Sequence, residues 1–257
     1  MNFETKFKIT MNKAGGTVRF DIHTHILPAV DDGARNTDST MRMLQIAAVS
    51  GTTHIVATPH FVCEITGNQL EEIRNKYDCV REEWKSLSEK NEMYLGNELM
   101  YGEGLLEALD KGKALTMNGT RYILVEFPLY SSFSYIRTAV QTLSYAGYWP
   151  ILAHIERYEC LRKMEYIKEL IRLGAYMQIN ADSILGSNGY IVKYRTLKLV
   201  KSSMVHFVAS DAHGSRNRCP NLKLCESYLR RKVGAEMTCN LFQINPEKML
   251  RGELIDE

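Results

Sequence analysis

The sequence predicts an α/β fold in which a parallel sheet closes into a barrel of seven β-α units. Three observations carry this. Short apolar runs rich in β-branched residues recur between amphipathic stretches, as parallel strands and their crossover helices require. The alternation repeats seven times. Histidines and acids gather at the carboxyl ends of the apolar runs, where barrel sites converge. A doubly wound open sheet shares the periodicity, and it is the placement of these residues that favours closure.

The expected strands cover residues 18–22, 53–58, 93–96, 122–127, 149–153, 175–179 and 205–209. Helices are expected over 38–50, stopped by Gly51, then 69–90, 135–146 before Gly147, and 162–173 before Gly174. A glycine after the last periodic residue supplies the left-handed position that ends a helix. Residues 18–257 are read as one barrel domain, preceded by an extension over 1–17 with a Gly15-Gly16 joint. No internal repeat or low-complexity linker marks a second domain.

Composition narrows the function classes. Among 257 residues, 45% are hydrophobic and 24% charged, with a net charge of +2, so no strong field attracts nucleic acid or a membrane surface. The first residues lack the apolar run of a signal peptide and no window approaches a membrane span; the expected location is cytoplasmic. The six cysteines, Cys63, Cys79, Cys160, Cys219, Cys225 and Cys239, have neither CxxC spacing nor scaffold density. They read as reduced thiols, most of them filling core.

The first strand ends in Asp21-Ile22-His23-Thr24-His25, and the period of two sends His23 and His25 to one side. Alone, such a pair is as readily a surface feature as a metal site. Later strand ends change the balance: Thr58-Pro59-His60, Asn97-Glu98, Glu126-Phe127, His154-Ile155-Glu156-Arg157 and Asp211-Ala212-His213. Five of the seven histidines thus lie at carboxyl ends, whereas His54 and His206 lie at strand beginnings and read as structural. Glu126, between Val125 and Phe127, is costly to bury unless a cation offsets its desolvation. Glu98 follows the same logic. Mixed imidazole and carboxylate donors suit manganese, zinc or iron better than magnesium or calcium. With an acid from Asp31-Asp32-Gly33 there are donors for two or three divalent metal ions, Mn2+ being the first choice and iron or zinc the alternatives.

This order of motifs, DIHTHILPAVDDG, ATPHF, GNE, LVEF, AHIERY and ASDAH, resembles the polymerase-and-histidinol-phosphatase (PHP) family over nearly the whole chain after Val18. Within it, HIERY and DDG look most like the bacterial tyrosine-protein phosphatases of capsule and exopolysaccharide loci, the CpsB/YwqE type. The resemblance implies a distorted seven-stranded (β/α) barrel and a trinuclear centre. It implies that His23, His25, Glu98 and Asp211 surround one metal, and that Glu98 bridges to a second held by Glu126 and His154. A third would take His60, His213 and Asp32, with Asp31 the alternative. Asp21 is expected to orient its histidine neighbours. The implied partner is the phosphotyrosine-bearing tail of a bacterial tyrosine kinase that regulates capsule or exopolysaccharide synthesis. The chain departs from the pattern at Arg216-Asn217-Arg218, where two arginines compete for one role.

The residues alone lead as far as a metal-dependent phosphomonoesterase. Phosphate monoesters need a hydroxide at neutral pH and charge neutralisation on phosphoryl oxygens, and a metal-bound hydroxide with Arg157 and Arg218 (or Arg216) supplies both. Arg157 has a rival role as ion-pair partner of Glu156 or Glu159. A thiol route through Cys225 and Arg231 has the right spacing, but the residues between contain no glycine and read as helix interior. The competing functions are a small-molecule phosphatase of the histidinol-phosphatase type and a noncatalytic or nuclease module. Near-neutral charge weakens the nuclease.

Overall fold

The computed structural model describes residues 18–63 and 69–255; the extension expected over 1–17 lies outside the described residues. Its strands are β1 (Phe20–Thr24), β2 (His54–Ala57), β3 (His60–Phe61), β4 (Glu92–Leu95), β5 (Glu98–Met100), β6 (Tyr122–Glu126), β7 (Trp149–Leu152), β8 (Tyr176–Asn180) and β9 (Phe207–Ala209). All pairs are parallel. One sheet has the order β1-β2-β4 and the other β3-β5-β6-β7-β8-β9.

Each of the seven expected runs overlaps a strand, and two short strands, β3 and β5, lie outside the expected runs. The run over 53–58 forms β2, and β3 follows it after Thr58-Pro59; the run over 93–96 forms β4, and β5 follows it after Gly96-Asn97. Pro59 has no N–H to donate to a ladder. Neighbour relations nonetheless survive the break: Gly96 N donates to Ala57 O at 2.9 Å, Glu98 N to Pro59 O at 3.1 Å, and Asn97 Nδ2 to the same Pro59 O at 2.9 Å. The bend sets His60 opposite Glu98 in the β3/β5 register.

The chain after β9 meets the end of β1. Asp211 N donates to His23 O and His25 N to Ala212 O, both at 2.9 Å. The result is a curled parallel sheet arrangement with its two sheets joined at the site.

The helices are α1 (Thr37–Val49), α2 (Leu70–Leu87), α3 (Leu105–Asp110), α4 (Phe133–Tyr145), α5 (Met164–Arg172), α6 (Ala181–Leu185), α7 (Tyr190–Lys201), α8 (Leu222–Val233), α9 (Ala235–Cys239) and α10 (Asn245–Arg251). The four helices expected from the sequence are present as α1, α2, α4 and α5. Capping side chains set the true starts of two of them: Asn36 accepts from Ser39 N, and Ser132 from Tyr135 N. On α4 the buried residues Ile136, Ala139, Val140 and Leu143 follow helical spacing. They pack with Ile123, Val125, Leu152, Met177 and Ile179 in the largest core cluster. A second cluster, including Leu124, Ile151, Tyr176 and Phe207, holds the other face of these strands. The expectation that most cysteines fill core is corrected: Cys225 alone is buried, Cys79 is exposed and the other four are half-buried.

Candidate metal centre

The strand ends bring His23, His25, His60, Glu98, Glu126, His154, Asp211 and His213 together, with Asp32 joining from the loop after β1. Among the described residues, three overlapping groups have donor atoms within 4.8 Å of one another: His23, His25, Glu98 and Asp211; His25, Asp32, His60 and His213; and His60, Glu98 and Glu126. Glu98 is the hub. Its Oε2 lies 3.1 Å from His23 Nε2, His25 Nε2 and His60 Nδ1, and its Oε1 lies 2.8 Å from His154 Nε2. Glu126 stands 3.0 Å from His60 Nδ1 and 3.7 Å from His154 Nε2.

Local backbone geometry aims these side chains. His154 (φ 34°) and Asp211 (φ 51°) both adopt the left-handed region, which costs energy for residues other than glycine and is concentrated at functional sites. Each sits where the chain turns sharply off a strand. In the DDG turn, Gly33 packs against His25 so closely that a Cβ would fall 2.4 Å from His25 Cβ, and Ala34 N donates to His25 O. Only glycine permits that approach.

The turn separates the two aspartates by function. Asp31 Oδ2 accepts from His25 Nδ1 at 2.7 Å and from His60 N at 3.1 Å, and its Oδ1 accepts from Gly33 N. Although burial opposes it, the bond and charge of His25 hold Asp31 down at about 2. Asp32 is largely exposed and stands 3.3 Å from both His60 Nε2 and His213 Nε2.

The electrostatics match a cation site. Despite burial, the charges of Glu98 and Asp211 raise His23, while the carboxylates of Asp211, Asp31 and Glu98 facing His25 raise it. Glu98 and Asp211 are held well below the carboxylate range against the same burial, mainly by His23. Burial and the charges of His25 and Arg218 hold His213 down at about 4. His23 Nε2 and His25 Nε2 stand only 3.2 Å apart, and buried Asp211 Oδ1 has no hydrogen-bond partner among the described residues. Nitrogen and oxygen donors in this mixture fit divalent transition metals, whose binding would displace the imidazole protons.

The remaining expected residues fall around this cluster. Asp21 belongs to none of the three groups; it accepts from Ser210 N at 2.9 Å, and burial raises it to about 6. Arg218 Nη2 lies 2.6 Å from Asp211 Oδ2, and Arg216 is exposed. Arg157 is exposed and forms no ion pair with Glu156 or Glu159: Glu156 accepts from Asn180 N and Ser183 Oγ, and Glu159 pairs with Arg162. His54 and His206 stand apart, both lowered to about 4 by burial. Cys225 lies inside α8, its thiol pushed far up by burial.

Sequence reading passes over Gln178 and Asn180, whose amides link His23, His154 and Asp211. Their signal is faint: two polar residues at period two on a strand that carries no histidine or acid.

Parallel strands carrying overlapping histidine and carboxylate clusters at their carboxyl ends define an α/β protein with a candidate metal centre. The sequence profile of the capsular polysaccharide synthesis family CpsB/CapC matches residues 19–251, and the chain belongs to that family. Tyrosine-protein phosphatase CpsB of Streptococcus pneumoniae is 32% identical over 241 residues, covering 91% of this chain and 99% of that one. Tyrosine-protein phosphatase YwqE of Bacillus subtilis is 34% identical over 239 residues, covering 91% and 92%. A crystal structure from the pair YwqE and CpsB, described as metal-dependent tyrosine phosphatases, superposes with a TM-score of 0.85 at 32% identity, over 92% of this chain and 96% of the other. An amidohydrolase from Mycoplasma synoviae, 15% identical with a TM-score of 0.57 over 90% of this chain and 87% of its own, shares the fold.

Proposed function

We propose that this chain is a metal-dependent protein-tyrosine phosphatase. Its substrate in this reading is phosphotyrosine on the tail of a bacterial tyrosine kinase that regulates capsule or exopolysaccharide synthesis. The observation that carries the reading is Glu98, one buried carboxylate shared by four imidazoles and two of the three ligand groups, in a chain one-third identical to named tyrosine phosphatases. With β3 counted with β2 and β5 with β4, the strands read as seven positions of a distorted PHP-type barrel, with 18–257 as one domain in the cytoplasm. Among the described residues no helix is long and apolar enough to cross a membrane.

His23, His25, Glu98 and Asp211 would hold one ion, Glu98 with Glu126 and His154 a second, and His60, His213 and Asp32 a third. The proximity of His60 Nδ1 to Glu126 makes His60 a further donor toward the second. Manganese is the preferred ion. Bound divalent cations there lower the pKa of water and offset charge on phosphoryl oxygens. Asp31 orients His25 through Nδ1, leaving Nε2 toward the cluster. Arg157, free of Glu156 and Glu159, takes phosphoryl oxygens by bidentate bonds. Arg218 or Arg216 takes the remainder; Arg218 also neutralises Asp211. A tyrosinate leaving group needs no strong general acid.

The test compares a phosphotyrosyl peptide with histidinol phosphate on metal-reconstituted enzyme. Preference for the peptide supports the reading; preference for histidinol phosphate replaces it with the small-molecule phosphatase.

A further inference from the structure

β8 carries two buried amides that no motif singles out. Gln178 is fully buried. Its Oε1 lies 2.8 Å from His154 N and 3.2 Å from His23 Nδ1. Its Nε2 donates to Asn180 Oδ1 at 2.8 Å, and Asn180 Nδ2 donates to Asp211 Oδ2 at 2.6 Å. The amides therefore join His23 on β1, His154 after β7 and Asp211 after β9.

Both ends of this chain of bonds are chemically one-directional. The main-chain N–H of His154 only donates, and the ionised Asp211 carboxylate only accepts. Each amide between them has one orientation that satisfies both neighbours. With Gln178 Oε1 so fixed, His23 Nδ1 must be the protonated nitrogen. Its Nε2 then faces Glu98 at 3.1 Å, His25 at 3.2 Å and Asp211 at 3.4 Å.

We propose that Gln178 is a positioning residue of the metal centre: it fixes the ring orientation and tautomer of His23, and through Asn180 it aims Asp211 at the same ion. The inference rests on the metal-centre reading above. A ligand histidine whose other nitrogen is anchored keeps its ring aimed and its donor nitrogen bare, and losing such an anchor typically weakens metal affinity about 10–100-fold. A merely structural amide, tying β7 to β8 through His154 N, would alter stability and leave the affinity of the folded protein unchanged.

The experiment measures zinc affinity by chelator competition on metal-free wild type, Gln178→Met, Gln178→Glu and Asn180→Ala, each with its circular dichroism spectrum. Long-range 15N spectra of the zinc-loaded wild type report the His23 ring. Gln178→Met is expected to bind the tightest zinc about 10–100-fold more weakly. Gln178→Glu keeps an acceptor for His23 and His154 N but loses the donor to Asn180 Oδ1, so it is expected to recover part of the lost affinity, binding zinc more tightly than Gln178→Met and more weakly than wild type. His23 should show a protonated Nδ1 and a zinc-bound Nε2. Wild-type affinity in folded Gln178→Met, zinc binding by folded Gln178→Glu no tighter than by Gln178→Met, or zinc on Nδ1 would each overturn the proposal. Where Gln178→Met does not fold, Asn180→Ala decides: weakened zinc binding supports the relay and unchanged binding refutes it. A wild-type protein that binds no zinc or manganese would sink the metal-centre reading itself, a result distinct from equal affinities across the variants.

Discussion

Arg157→Ala separates substrate binding from structure unusually well. The side chain is exposed, its neighbours Glu156 and Glu159 are engaged elsewhere, and its main-chain N–H bonds to His154 O, which alanine retains. Removing it breaks no ion pair with either glutamate, so stability should move by no more than about 0.5 kcal/mol. Every proposed metal ligand stays in place. Loss of one donor to a reacting phosphoryl group typically costs on the order of 3 kcal/mol. At about 1.4 kcal/mol per tenfold, that is roughly a hundredfold in kcat/KM. Steady-state kinetics on a phosphotyrosyl peptide, metal stoichiometry and a thermal melt measure all three quantities. If the guanidinium grips phosphate chiefly in the transition state, kcat falls with little change in KM; a grip equal in the ground state raises KM instead. Unchanged kinetics in a fully metallated variant would refute a phosphate role, and lost metal would reassign Arg157 to organising the ligands.

Other perturbations test the neighbouring claims. His154→Ala or Asp211→Ala should nearly abolish hydrolysis with circular dichroism largely unchanged; wild-type turnover in a variant that has lost metal would rule out the cluster. Chelation should abolish activity and manganese should restore it best, so full activity in exhaustively metal-free protein would count against the mechanism. Cys225→Ser should keep its activity, because the thiol is buried and held protonated; a folded, metal-loaded but inactive Cys225→Ser protein would revive thiol chemistry. Burial lowers His206 from 6.5 to about 4, so between those values the unfolded chain binds more protons and stability falls as pH drops. The effect is on the order of 3 kcal/mol. His206→Asn keeps an acceptor for Met177 N and should lessen the slope of the denaturation free energy between about pH 6.5 and 4, with His54, lowered to the same value, keeping its own share; an unaltered slope would show that other groups set it.

What the sequence reveals about this site follows the cost of burying each group. A glutamate between valine and phenylalanine, or a histidine at the end of an apolar run, is improbable without a compensating partner, so Glu98, Glu126, His60 and His154 stand out by residue type and position alone. Strand direction is legible in the same way, since His54 and His206 lie at the far end from the cluster and take no part in it. Strand continuity is less legible. Residues 53–58 read as one strand and form one, but only pairing geometry shows that the chain resumes after Pro59 as β3 and sets His60 opposite Glu98. The two aspartates of the DDG turn are likewise indistinguishable by type. Their difference arises from Gly33, which lets the turn fold back on His25 so that Asp31 meets Nδ1 while Asp32 reaches outward. Neutral amides are the least legible of all, because glutamine and asparagine occur on strands for many reasons and carry no charge to betray a partner. Gln178 acquires meaning only once His154 N and Asp211 fix the two ends of its hydrogen-bond chain. The ligands are thus written as residue types, while their aim is written in bonds between elements that meet only when the sheet curls.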